Sequence, residues 1–223
     1  MIILDNFLDK IMYNQVLNEE TFFPPIMEKG DQIAVDINTY HTEAATCYAP
    51  FMFWDGWWNS PANSIKKKVV QKIWESNLPC GVEEIIGFEY WTRTYESGQY
   101  LRPHVDEDTF RYEENKIFTG PLMGSILYGI NNEHGGYLEI YKSLLNDGSH
   151  MALEKHQTDP LLSSLEERER ISYKGNRLII FDTGHILHGT TAAKEGLRQV
   201  MVTNLWHKDM PPTALDKNKF FYE

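Results

Sequence analysis

Apolar residues recur at helical intervals in only two stretches of this chain, and both lie before residue 84. Between residues 7 and 18, Phe7, Leu8, Ile11, Met12 and Leu17 fall on one stripe behind Asp5 and Asn6, residues suited to an N-cap, so the spacing predicts a helix. After Pro61 a second stripe, Ile65, Val69, Val70, Ile73 and Trp74, runs opposite Lys66, Lys67 and Lys68 and stops ahead of Pro79. The stretch between them, FMFWDGWWNSP, carries Trp54, Trp57 and Trp58, which are expected to pack rather than to bind, because large aromatics mostly serve the core.

From residue 84 the period changes. Short β-branched or aromatic runs alternate with Gly, Asn and Asp, and IIGFEYWTRTY, LMGSILYGI, GGYLEIY, RLIIFDT and LRQVMVTNLW each read as one strand. No strand–helix–strand alternation follows residue 84, so the natural packing is a double-sheet jelly roll, mainly β with flanking helices. Residues 1–83 then form a helical support region and aromatic loop of the same domain, and residues 84–223 its β core. A polar stretch at 142–174, with a short helical pattern near Leu161 to Arg170, reads as an insertion of the lid or binding-loop kind.

Composition narrows the function classes. At 223 residues and 42% hydrophobic, the chain suits one domain. A formal net charge of -11 argues against a nucleic-acid partner, whose backbone is neutralised by clustered Lys and Arg. Cys47 and Cys80 are far apart and form no Cys-x-x-Cys pair, so neither a disulfide framework nor a thiolate zinc site is suggested, and a reducing cytoplasm fits best. The opening MIILDNFLDK is interrupted too early by Asp5 and Asp9 for a signal peptide, and no window approaches a membrane span. The pattern leaves the oligomeric state open.

Candidate chemistry concentrates in two segments. In YESGQYLRPHVDED, His104 and Asp106 are two apart, so on an extended backbone both face the same side and can chelate one ion. In FDTGHILHGTTAAKEGLRQ, His188 follows an apolar strand and Arg198 opens the next strand ten residues later. Two neutral imidazoles and one carboxylate on one side of an ion leave the opposite positions open, the arrangement that suits Fe(II) and O₂. A 2-oxo acid fills two of those positions, and its far carboxylate suits the planar fork of Arg198.

These motifs resemble the catalytic domain of the prolyl 4-hydroxylase-type Fe(II)/2-oxoglutarate dioxygenases. The likeness covers residues 90–206, a little over half of the chain, and rests on Tyr95 and Tyr100, HVD at 104–106, Tyr128 in SILYGIN, GGYLEIY at 135–141, and His188 with Arg198. It implies a double-stranded β-helix of cupin-like form, with His104, Asp106 and His188 as iron ligands. Arg198 and Tyr128 would take the distal carboxylate of 2-oxoglutarate, and Tyr95 would flank metal and co-substrate. It also implies O₂ as oxidant, succinate and CO₂ as products, ascorbate as a reductant, and hydroxylation of a peptidyl prolyl or other amino-acid side chain ahead of a small molecule. The stretch at 142–174 departs from the simplest family pattern.

His185 competes with His188 for the third ligand position. The ten-residue interval to Arg198 and the following Gly189, which lets the backbone pass close to the site, favour His188. A second function class, a cupin-like metal- or sugar-binding module without oxygenase activity, needs no cation ten residues past the last ligand. Arg198 is therefore the residue that separates the two readings.

Overall fold

The computed structural model describes residues 1–23, 47–48, 51–141 and 168–216. Among them the first strand is β1 (Ile2–Asp5), followed by helix α1 (Lys10–Asn18), β2 (Cys47–Tyr48), β3 (Met52–Trp54) and helix α2 (Ile65–Trp74). The core follows as β4 (Ile85–Tyr95), β5 (Leu101–His104), helix α3 (Thr109–Asn115), β6 (Met123–Tyr128), β7 (Tyr137–Tyr141), β8 (Arg168–Ser172), β9 (Arg177–Phe181), β10 (His188–Thr190) and β11 (Arg198–His207), and α4 (Thr213–Asp216) closes it. The larger sheet runs β1-β9-β6-β11-β4-β2 with β3 also on β4, and the smaller runs β5-β10-β7-β8. Every pairing between these strands is antiparallel. The eight strands β4 to β11 divide four and four between the facing sheets, which is the jelly roll that the strand pattern predicts.

Period-two alternation sorts the two faces of the larger sheet. Leu178 and Ile180 of β9, Leu127 of β6, and Met201 and Leu205 of β11 join Val69, Val70, Ile73 and Trp74 of α2 in one core. Their sequence neighbours Ile179, Phe181, Ile126, Tyr128 and Val200 point the other way and pack against Leu138, Ile140 and Ile171 of the smaller sheet. Trp54, Trp57 and Trp58 gather around Phe88 at ring separations of 6.0, 5.6 and 5.7 Å, in the packing role expected of them.

Four local expectations differ from the structure. Helix α1 begins at Lys10 because Asp9, not Asp5 or Asn6, accepts from Ile11 N and Met12 N at 2.9 Å, and the residues ahead pair with β9 instead. Its stripe is displaced accordingly: Ile11 is 74% exposed, while Val16 is buried. The first 83 residues also place β1, β2 and β3 in the larger sheet, so they are more than helical support. Helix α3 interrupts the β half, where Asp108 caps Arg111 N at 3.1 Å and Lys116 adopts a left-handed φ of 57° at its end.

The fourth difference concerns the insertion. Residues 142–167, with most of its helical pattern, lie outside the described residues, but Arg168–Ser172 is a strand paired with β7 from Tyr137↔Ser172 to Tyr141↔Arg168. Its alternation puts Ile171 inside, while Arg168 and Arg170 converge on Glu139 at 3.3 and 2.9 Å; that charge density imitates a helix surface in the sequence. Among the described residues, no helix is long and apolar enough to cross a membrane.

Candidate active site

The smaller sheet builds the first half of the site. Strands β5 and β10 pair with His188 directly opposite His104, and Gly189 makes this possible, since a Cβ there would lie 2.9 Å from both Leu101 O and Pro103 N. Just beyond β5, Asp106 N donates to Thr183 O at 2.8 Å, which turns the carboxylate back toward the two imidazoles. His104 Nε2 lies 3.5 Å and His188 Nε2 3.9 Å from Asp106 Oδ1, and one ligand atom from each residue falls within 4.8 Å of the other two. Exposure is graded across the group: the side chains of His104, Asp106 and His188 are 28%, 12% and 5% exposed, so the cluster opens on the His104 side.

Electrostatics prepare this cluster for a cation. Burial, aided by the neighbouring His104, pushes the His188 imidazole down to about 4, so it stays neutral near neutral pH. Its Nδ1 lies 2.9 Å from Ile186 O; an Nδ1–H donated to that carbonyl leaves the Nε2 lone pair facing Asp106. Burial opposes charge on Asp106, but the hydrogen bond from His104 and the nearness of both imidazoles still hold its carboxyl below the usual range. Two imidazole nitrogens and one carboxylate oxygen at these separations form a donor set that fits Fe(II) or a similar divalent ion.

Arg198 lies in the same interior, beside Thr190 at the far end of the strand that begins with His188. It opens β11, is 2% exposed, and sits over the ring of its cross-strand partner Tyr95, 4.4 Å from the ring centre. Nη1 donates to Thr191 O at 2.7 Å and Gly135 O at 3.3 Å, and Nη2 to Thr190 Oγ1 at 3.0 Å and Gln99 O at 3.4 Å, while Nε is buried with no hydrogen-bond partner. Among the described residues no carboxylate pairs with this guanidinium, which a buried charge ordinarily requires. The Gly-Gly turn before β7 brings Gly135 O to it, and Gly136, at φ 83°, would place a Cβ 2.9 Å from Ala192 O. Tyr128 is buried nearby, its ring 4.5 Å from that of Tyr173; burial pushes its hydroxyl up to about 12, so it is a neutral donor.

The structure thus brings His104, Asp106 and His188 into one cluster and places Tyr95 against Arg198. It does not bring His185 to that cluster: His185 is largely exposed and bound to Asp182 Oδ1 at 2.9 Å. Comparison with solved structures settles the architecture. A prolyl-4-hydroxylase from Pseudomonas putida superposes at a TM-score of 0.52 and 15% identity, covering 93% of this chain and 92% of that one. A Trichoplax adhaerens prolyl hydroxylase, solved with a hypoxia inducible factor oxygen degradation domain peptide fragment, superposes at 0.54 and 18% identity, covering 93% and 84%. The chain has a prolyl 4-hydroxylase-like fold. No protein-family profile and no curated protein sequence matches it.

Within this prolyl 4-hydroxylase-like frame, three polar residues join the site that motif reasoning passed over. Asn204 and Thr183 sit beneath Asp106, and Glu89 faces inward from β4 opposite Asn204. Trp206 Nε1 donates to Glu89 Oε2 at 3.1 Å, yet burial, with Asp106 and Asp108 nearby, pushes the Glu89 carboxyl up to about 7. The signal for Asn204 was present in the sequence: in RQVMVTNLW it is a polar residue six positions past Arg198, on the same strand face.

Proposed function

We propose that this protein is an Fe(II)- and 2-oxoglutarate-dependent dioxygenase that hydroxylates a C–H bond of a peptidyl prolyl or other amino-acid side chain. One observation carries the reading: a single jelly roll holds both a His–Asp–His cluster and a buried guanidinium without a carboxylate partner among the described residues. The fold supports the reading, as does the peptide held by the Trichoplax relative.

In this reading His104 Nε2, Asp106 Oδ1 and His188 Nε2 hold the metal, and Arg198 and Tyr128 hold the distal carboxylate of 2-oxoglutarate. The bound iron and co-substrate supply the oxidising chemistry, consuming O₂ and releasing succinate and CO₂. The chain supplies position and a dry interior. The Tyr95 ring fixes the plane of the Arg198 guanidinium, and its buried Nε is left without a partner to offer a carboxylate oxygen. The side chain to be oxidised enters at the more exposed His104 edge.

Anaerobic titration with Fe(II) and 2-oxoglutarate tests the reading through the weak visible charge-transfer band of the chelate. The band is expected in wild type, and Arg198→Ala is expected to need far more 2-oxoglutarate to develop it. Absence of the band at saturating iron would refute the proposal and leave the non-redox metal-binding module. Peptides scored by mass spectrometry for a gain of one oxygen atom then test the substrate class.

A further inference from the structure

We propose that Asn204 is a positioning residue for Asp106: its amide holds one carboxylate oxygen so that the other is left alone to face a metal. This rests on the reading of His104, Asp106 and His188 as a metal site. The inward face of β11 runs Arg198, Val200, Val202, Asn204, Trp206, and Asn204 is a buried polar group in a position where an apolar residue would pack. In the orientation that its hydrogen bonding selects, its Nδ2 donates to Asp106 Oδ2 and to Thr203 O, both at 3.2 Å. The two oxygens of Asp106 then have separate partners, since Oδ1 is the one that faces His104 and His188.

The surroundings reserve space for this arrangement. Gly124 of β6 lies directly across from Asn204, and a Cβ there would stand 2.8 Å from the Asn204 amide atom that is Nδ2 in this orientation and press on the Thr183 side chain. Thr183 in turn holds Asp106 through its carbonyl and lies 3.5 Å from Asn204 through its hydroxyl. Released from Asn204, the Asp106 carboxylate is free to rotate and present both oxygens to an ion. A second oxygen would occupy one of the positions that a bidentate co-substrate and O₂ need, so the contact matters to coordination number as well as to affinity.

The experiment measures metal affinity rather than turnover. Metal-stripped protein is titrated anaerobically with Fe(II) against a chromophoric chelator, and separately with Co(II), whose d–d absorption reports coordination geometry. Asn204→Leu keeps the volume without the donor, and Asn204→Ser, small and polar, is too short to reach Oδ2. Near-UV circular dichroism identifies which variants keep the wild-type fold. Both are expected to weaken Fe(II) binding by about tenfold to a hundredfold and to change the Co(II) spectrum. Wild-type affinity to within about threefold, with an unchanged Co(II) spectrum, in either folded variant would overturn the inference. A wild type that binds no metal sinks the metal-site reading and this inference with it, whereas a wild type that binds, matched by the folded variants, sinks this inference alone.

Discussion

The Glu89 carboxyl offers the sharpest test of the electrostatics, because its position implies a stability change of definite sign. Burial raises it from an ordinary 4.5 to about 7, so the folded protein takes up its proton more readily than the unfolded chain. A raised folded value means that the contribution is fully present below about 4.5 and is lost as pH rises through about 7. The full span is about 3 kcal/mol at about 1.4 kcal/mol per unit, and roughly 2 kcal/mol of it falls between about pH 5.5 and about pH 8. Glu89→Gln keeps an acceptor for Trp206 Nε1 and cannot ionise, so it should not lose that stability.

The assay is urea unfolding of metal-free wild type and variant at those two pH values, with chelator present. His188, lowered to about 4, works in the opposite sense, since its contribution is lost as pH falls from 6.5 through that value. Both proteins share it, and the difference between them isolates Glu89. The variant should gain on wild type by about 2 kcal/mol on going from the lower to the higher pH. Two proteins that track each other within about 0.5 kcal/mol across that range would show that Glu89 is not desolvated as its surroundings require.

Three further outcomes are expected. Arg198→Lys should keep the fold but raise the 2-oxoglutarate needed to half-develop the charge-transfer band by about tenfold to a hundredfold, because an ammonium lacks the planar fork; an unchanged titration would remove Arg198 from the co-substrate site. Asp106→Ala should abolish both tight Fe(II) binding and 2-oxoglutarate turnover, checked by chelator competition and succinate release, and full turnover in that variant would exclude the triad. Trp74→Phe should lower the free energy of urea unfolding by about 2 kcal/mol, since it removes the 2.7 Å bond to Thr203 Oγ1 in the core and leaves a small void.

What the sequence made legible follows from the length of each element. The five long β runs and helix α2 carry enough alternation or stripe for burial to dictate one answer. Strands β5 and β10, which bear His104 and His188, have four and three residues, too few for any periodic signal. They exist because each finds a partner already in the sheet, and tertiary pairing is not written locally. Helix α3 and strand β8 were hidden for the converse reason: a single cap at Asp108 and a single buried Ile171 settle their state amid polar neighbours.

The chemistry was nevertheless readable where those strands were not, because it depends on chain intervals rather than on element type. His104 and Asp106 are two positions apart, a reach that one extended step and the 2.8 Å bond to Thr183 O convert into a shared face. Arg198 lies ten positions after His188. The connection from β10 into β11 occupies 191–197, so the guanidinium must fold back over the strand that it has just left, and it does so at Thr190 Oγ1, 3.0 Å away. An interval of that kind constrains geometry whatever the intervening conformation, provided the two strands lie in facing sheets. Asn204 obeys the same logic at six residues past Arg198: even spacing along β11 returns it to the interior, opposite the carboxylate. Polar residues at even intervals from a buried charge on an apolar strand are therefore the places to look for the outer support of a site like this one.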